Sequence, residues 1–130
     1  MIGSTSPRML AIAAPHVDAW NEWHDKFANS PDNVPALMAQ VDEAARAAGR
    51  APAEITRTVT VLVQLTGGKG RRSSYAQPTP PHDGTKTHEM AAILRRYAAA
   101  GISHVQLVLD PITIESITEF APVLALLDEG

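Results

Sequence analysis

The chain has 130 residues, of which 45% are hydrophobic, and a formal net charge of -3. This is the composition of a globular domain of ordinary size, and the small negative charge gives no reason to expect nucleic acid or an anionic membrane as a partner. Because cysteine is absent, disulfides, thiolate chemistry and Cys-based zinc sites are excluded. No apolar run approaches the roughly 18 residues of a membrane span and no secretory signal is visible, so we expect a cytoplasmic protein.

Helical and strand patterns alternate along the chain, which is typical of α/β proteins with parallel strands. A short Ala-rich helix is predicted over residues 9–14 and a brief strand over residues 17–20. Residues 22–32 are polar, with isolated aromatic anchors, and are predicted to be a loop or an irregular helix. Asn33 is predicted to cap the next helix, which should end at Gly49.

Residues 56–65 are rich in Thr and Val, and they give the strongest strand signal in the chain. Their alternation places Val59, Val61 and Val63 on one face, and polar residues and Leu62 on the other. Residues 67–85 are rich in Gly, Pro, Ser and Thr, so a long loop is predicted there.

The last third of the chain repeats the helix-then-strand order. A helix is predicted over residues 89–100, a third strand over residues 104–109, and a final helix after Thr113 as its cap. Its predicted apolar stripe consists of Ile114, Ile117, Phe120, Ala121, Leu124 and Leu127, and Pro122 inside it should bend the helix.

Residues 1–21, MIGSTSPRMLAIAAPHVDAWN, resemble an internal segment of the luciferase-like monooxygenases. Members of that family read roughly Gly-Gly-x-Gly-Pro-Arg-x-Leu, then Ala-Ala, then Ala-Asp-x-Trp-Asn. Further similar blocks are AGRAPAEI at residues 48–55, YAAAGISHVQLVLDP at residues 97–111 and FAPVL at residues 120–124. The resemblance implies the C-terminal part of a (β/α)₈ barrel, as one partial domain over residues 1–130 with about three parallel strands and four helices.

The resemblance also implies a cofactor, either FMN or the deazaflavin F420, and a place for its phosphate. In the family a Gly-Gly-x-Gly loop holds the phosphate through backbone amides, and the matching residues here are Gly3, Ser4, Thr5 and Ser6. Serines replace two glycines, and serine would be strained at any position that needs a positive φ. Because no strand precedes the segment in this sequence, we expect it to fray.

Other polar residues are weaker candidates. Asn21 and Trp23 end the first strand of the resemblance and would border a cofactor or substrate pocket if they do not simply pack. His104 is either a catalytic residue or, as we expect, a hydrogen-bonded structural histidine. Two loop arginines, Arg71 and Arg72, together with Lys69, would meet an acidic cofactor tail or a phosphate, or else form a solvated loop tip.

The remaining histidines, His16, His24, His82 and His88, have no metal-ligand spacing, so no metal site is expected.

A complete barrel of this class needs about 250 residues, and rarely fewer than about 200, so 130 residues are expected to be only part of one. The first hypothesis is therefore the cofactor-side portion of a luciferase-like oxidoreductase that needs an N-terminal half. The alternatives are a non-enzymatic remnant or self-associating interaction module, and a small binding domain with a new ligand. Open sheet edges favour association, either as a homodimer or with a complementing half. Alone, the chain is expected to bind neither cofactor and to be inactive.

Overall fold

The computed structural model describes residues 1–70 and 79–130, which form four α-helices and a four-stranded parallel sheet. The helices are α1 (Pro7–Ala13), α2 (Val34–Ala47), α3 (Thr87–Ala99) and α4 (Ile114–Asp128). The strands are β1 (Ala19–Trp23), β2 (Thr56–Gln64), β3 (His82–Asp83) and β4 (His104–Asp110). Short 3₁₀ helices lie at His24–Phe27, Pro31–Asn33 and Pro52–Glu54.

Strand β2 is the centre of the sheet. One of its edges pairs with β1 over Thr56–Thr60 and then with β3 at Val63 and Gln64. Its other edge pairs with β4 over Thr58–Gln64, and every pairing is parallel. The predicted α/β fold with three neighbouring parallel strands is confirmed, and β3 is an additional two-residue strand inside the segment predicted as a loop. Two residues of that loop named as candidates, Arg71 and Arg72, lie outside the described residues.

The core lies on one face of the sheet. Val59, Val61 and Val63 are fully buried there, as their alternation predicted, and all four helices contribute side chains to the same core. The helix residues in this core are Leu10 of α1, Val34, Met38, Val41 and Ala45 of α2, Met90, Ala91, Leu94 and Tyr97 of α3, and Phe120 and Val123 of α4. Every helix therefore covers the same side, and the opposite face of the sheet carries the polar residues.

The N-terminal segment was expected to fray, but it is bonded to β1. Ile2 forms a parallel bridge on the outer edge of β1, with its N–H 3.0 Å from the carbonyl of Ala19 and its own carbonyl 2.8 Å from the N–H of Asn21. The indole of Trp20 donates to the carbonyl of Ser4 at 3.0 Å. Three hydrogen bonds thus hold this short segment, which was predicted to be a free end, against β1.

The connection between β1 and α2 differs in detail from its prediction. Strand β1 continues to Trp23, beyond the predicted end at residue 20, before two 3₁₀ helices follow. Asn33 does not cap α2 with its side chain, because its Nδ2 donates to the carbonyl of Phe27 at 3.0 Å. Gly49 follows α2 with φ of 74°, the left-handed conformation expected of a glycine after a helix.

Helix α4 begins as predicted, since Thr113 Oγ1 accepts the N–H of Ser116 at 3.1 Å. The prediction that the apolar residues of this helix form a single stripe is wrong. Phe120 and Val123 are buried, whereas Ile114, Ile117 and Leu124 are 79%, 60% and 50% exposed. The apolar residues of α4 belong to two faces of the helix, and the described residues cover only one of them.

Candidate cofactor site

The candidate phosphate segment, Gly3 to Ser6, lies towards the carboxyl end of the sheet. The bridge between Ile2 and Trp20 is parallel, so the chain after Ile2 advances in the direction in which β1 advances. In parallel α/β proteins the loops at the carboxyl ends of the strands carry the site. The four residues predicted to bind cofactor therefore lie at the end of the sheet where such a site is expected.

The backbone of this segment suits serine. None of residues 3–6 has a positive φ, and Ser6, which precedes α1, has φ of -63°. The expected strain of serine at glycine positions is therefore absent. Gly3 is tightly placed for another reason, because a Cβ built on it would lie 3.3 Å from the carbonyl oxygen of Asn21.

Several donors converge where α1 begins. Helix α1 starts at Pro7, so the N–H groups of Arg8 and Met9 have no partner within the helix. The Ser6 N–H is already bonded to Ser4 Oγ at 3.1 Å, whereas Thr5 and Ser6 contribute hydroxyls. The guanidinium of Arg8 is exposed in the same turn. These donors and this charge fit a phosphate or another small anion.

The polar face of the sheet carries a row of hydrogen-bonded side chains across three strands. Asn21 Oδ1 accepts from Thr58 Oγ1 at 2.8 Å, and Asn21 Nδ2 donates to Thr60 Oγ1 at 3.2 Å. Thr60 Oγ1 in turn lies 3.1 Å from Gln106 Oε1 on β4. Asn21 is therefore held against the sheet, and its role in the described structure is to link β1 to β2.

Trp23 is an exposed aromatic residue on this polar face. It pairs with Thr60, so its side chain lies on the polar side of the sheet, and it remains 42% exposed. The ring of His24 lies 5.0 Å from it, tilted by 40°. Trp23 offers an aromatic surface at the carboxyl end of β1, which is the place that the sequence analysis gave it.

His104 lies at the other end of the sheet. It begins β4, so it is remote from the carboxyl ends of the strands, and it is exposed. Its side chain forms no hydrogen bond with any other described residue, so the prediction of a hydrogen-bonded structural histidine is wrong. His104 lies where the connection from α3 enters β4, and it is open to solvent there.

The turn that follows β2 packs against the carboxyl end of β4. Gly70 N–H donates to Asp110 Oδ2 at 2.9 Å, and Gln64 Nε2 donates to the carbonyl of Gly68 at 3.1 Å. A Cβ on Gly68 would lie 2.6 Å from the carbonyl oxygen of Asp110, so the backbone needs glycine there. Lys69, between these glycines, is exposed at the same end of the sheet as the candidate phosphate segment.

Glu22 is a buried carboxyl that was not predicted from the sequence. This residue is 5% exposed and lies on the core side of β1 beside Val59. Its Oε1 accepts the N–H of Trp23 at 3.0 Å, while Oε2 has no hydrogen-bond partner among the described residues. Burial raises the pKa of the Glu22 carboxyl above its usual range, and the Trp23 N–H and the charge of Lys26 oppose that shift. Only its place in an alternating strand pattern could have indicated it.

No group of three or more His, Asp or Glu side chains among residues 1–70 and 79–130 is arranged to hold a metal ion. In the same part of the chain, no helix is both long enough and apolar enough to cross a membrane.

Comparisons with protein-family models and with curated proteins find no match for this chain. Solved structures do match. An F420-dependent secondary alcohol dehydrogenase, in complex with an F420-acetone adduct, superposes with a TM-score of 0.70 at 16% identity over 96% of this chain. DmoA from Hyphomicrobium sulfonivorans gives 0.70 at 14% identity over 98%, and the coenzyme F420-dependent tetrahydromethanopterin reductase from Methanopyrus kandleri gives 0.61 at 13% over 93%.

The chain therefore has the fold of the luciferase-like barrel proteins, and the resemblance read from its sequence is confirmed at the level of fold. It is a partial fold of that kind, with a parallel sheet and four helices. The chain spans 47% of the length of the alcohol dehydrogenase and of the reductase, and 41% of the length of DmoA.

Proposed function

We propose that this chain is the C-terminal, cofactor-side portion of a luciferase-like oxidoreductase that uses F420 or FMN. On this proposal residues 1–130 form one partial domain, and hydride or oxygen chemistry requires an N-terminal half that supplies the rest of the barrel. The observation that carries the proposal is the placement of Gly3, Ser4, Thr5 and Ser6. They join Ile2, which pairs with Trp20 of β1, to the start of α1 at the carboxyl end of the sheet, and solved structures with a similar fold include F420-dependent enzymes.

The residues of this chain would bind and orient the cofactor. The hydroxyls of Thr5 and Ser6 and the first free N–H groups of α1 would hold its phosphate, and the exposed ring of Trp23 would border its ring system. When bound, the cofactor supplies the hydride or oxygen chemistry, and the protein supplies position and exclusion of water.

The isolated chain should bind neither cofactor usefully. In the described structure all four helices contribute to the core on the opposite side of the sheet, so they supply no walls around a ring on the polar face. Without them the phosphate contacts act alone, and exposed contacts of this kind give little affinity because they compete with water.

The test is to co-express the chain with a protein that supplies the first βα units, beginning with the product of the adjacent reading frame. Titration of the chain alone with FMN and with F420 should show no saturable binding, whereas the complemented pair should bind one of them one-to-one. Ser6→Asp should abolish that binding by placing a carboxylate against the phosphate. Asp is a good residue before a helix, so α1 should still form.

Thr56→Asp is the matched control, because it adds the same charge at an exposed residue where β2 begins, at the far end of the sheet. It should leave binding unchanged. Equal loss of binding in both variants would mean that net charge, rather than the Gly3–Ser6 segment, governs affinity, and the assignment of the phosphate site would be wrong.

The second candidate function is a self-associating interaction module or non-enzymatic remnant. It is favoured by the exposed apolar face of α4 and by the unpaired outer edge of β4 within the described chain. Binding of neither cofactor by the complemented pair would support this candidate.

A further inference from the structure

Strand β4 presents a complete set of free backbone groups at its outer edge. The carbonyl of Asp110 accepts the N–H of Leu65 at 2.9 Å, so Asp110 directs its backbone towards β2. Backbone direction alternates along a strand, so Val105, Leu107 and Leu109 direct their N–H and C=O groups away from β2. No described residue pairs with that edge, and an edge of this kind is a template for another strand.

The sequence of β4 is complementary to itself when it is read in the opposite direction. In an antiparallel pair centred on Leu107, Val105 would face Leu109 of a second copy, and all three outward-directed residues would form ladder hydrogen bonds. His104 would face Asp110, so an imidazole would meet a carboxylate at each end of the pair. No other centre of symmetry within these seven residues bonds all three outward-directed residues and also places His104 opposite Asp110.

The exposed face of α4 fits the same symmetry. Helix α4 follows β4 through a three-residue connection and contacts it, and Phe120 and Val123 of α4 belong to the core on that side of the sheet. Its uncovered stripe contains Ile114, Ile117, Ala121 and Leu124. In a two-fold pair Ile114 would approach Leu124 of the other copy and Ile117 would approach Ala121. One axis therefore serves both the strand edge and the helix.

We infer that this chain forms a two-fold dimer in which β4 pairs antiparallel with β4 of a second copy, about Leu107, while the two α4 stripes pack together. Such closed two-fold pairing is the commonest form of homo-oligomer, and an antiparallel strand pair within an otherwise parallel sheet is common. The inference does not rest on the proposed function. The dimer occupies the edge that a complementing half would need, so the two assemblies exclude each other.

Sedimentation of the whole chain at micromolar concentration tests whether the exposed stripe of α4 lies in the dimer interface. The unaltered chain and Ile12→Lys should sediment as dimers, and Ile117→Lys should sediment as a monomer with an unchanged circular dichroism spectrum. Ile12 on α1 is 58% exposed and Ile117 is 60% exposed, so the two variants add the same charge at similar exposure. A monomeric unaltered chain, or dissociation by Ile12→Lys but not by Ile117→Lys, would overturn the inference.

Cross-linking tests the register, because the chain has no cysteine of its own. Gln106 and Val108 of the second copy form a non-hydrogen-bonded pair in this arrangement, with Cα atoms about 4.5 Å apart, which a disulfide can join. A mixture of Gln106→Cys and size-tagged Val108→Cys chains should form a mixed disulfide under mild oxidation, and each variant alone should remain largely uncross-linked. Efficient self-cross-linking of either variant, or a dimer that gives no mixed disulfide, would contradict the β4 pairing.

Discussion

Asn29 hydrogen-bonds the backbone of Leu62 with both ends of its side-chain amide. Its Oδ1 accepts the Leu62 N–H at 3.0 Å, and its Nδ2 donates to the Leu62 carbonyl at 2.9 Å and to the Pro80 carbonyl at 3.0 Å. On this edge of β2, β1 pairs as far as Thr60 and β3 pairs from Val63. A single side chain therefore takes the place of a strand residue between them.

Replacement of Asn29 by Asp should destabilise the protein. The carboxylate would turn an oxygen towards two carbonyl oxygens and leave both without their donor, while the left-handed backbone at φ of 53° remains acceptable to Asp. We expect a loss of about 2–3 kcal/mol in the free energy of unfolding, measured by urea denaturation. Asn33→Asp is the control, because that exposed amide donates to the single carbonyl of Phe27, and its effect should be clearly smaller.

Replacement of Glu22 by Gln should stabilise the protein at neutral pH. Burial raises the pKa of Glu22 in the folded state above its ordinary value near 4.5, so the folded protein binds this proton more tightly than the unfolded chain does. The favourable contribution is complete below the unfolded pKa and is lost as pH rises through the folded pKa. The urea midpoint of Glu22→Gln should therefore exceed that of the unaltered chain at pH 7, and the gain should shrink towards pH 4. Glu43→Gln, at an exposed site on α2, should show little change at either pH, and a similar gain there would argue for a general charge effect.

Gly84 should not accept a side chain. A Cβ built on it would lie 2.6 Å from Cγ1 of Val63 and 2.7 Å from Cδ2 of Leu65, both of which belong to the core. Gly84→Ala should reduce the free energy of unfolding by about 1–3 kcal/mol through overpacking. Gly67→Asn is the comparison, because Gly67 has open space and φ of 85°, a conformation that Asn tolerates best among larger residues. If both variants were equally stable, the close contact of Gly84 would have no energetic effect.

The hydroxyl of Tyr97 should contribute nothing to stability. The residue is fully buried, its hydroxyl oxygen has no hydrogen-bond partner among the described residues, and burial raises the pKa of the phenol well above its usual range. Its ring makes edge-on contacts with Phe27 at 6.0 Å and His82 at 6.4 Å. Tyr97→Phe keeps the ring and should change the free energy of unfolding by less than about 1 kcal/mol or increase it. Tyr97→Leu loses the ring and should reduce it by more than about 2 kcal/mol. A large loss in Tyr97→Phe would show that the hydroxyl has a partner.

The sequence alone determined the order and type of the main elements. The alternation of Val59, Val61 and Val63 identified the face of β2 that meets the helices, and the Thr113 cap identified the start of α4. These signals are local, because strand alternation and helix capping depend on residues that are near each other in the chain. The resemblance to luciferase-like proteins predicted how those elements are arranged in space. The similarity to solved structures confirms that fold.

Only the tertiary structure decided which surfaces those elements share. The stripe of α4 was read as one face, yet Phe120 is buried while Ile117 is exposed, because burial depends on which neighbour is present and not on spacing alone. Likewise the N-terminal segment was expected to fray and Asn29 was not recognised, although Ile2 hydrogen-bonds β1 and Asn29 hydrogen-bonds β2. A lone residue or side chain that pairs with a distant strand leaves no periodic signal, since its partner is fixed by the fold and not by its neighbours in sequence.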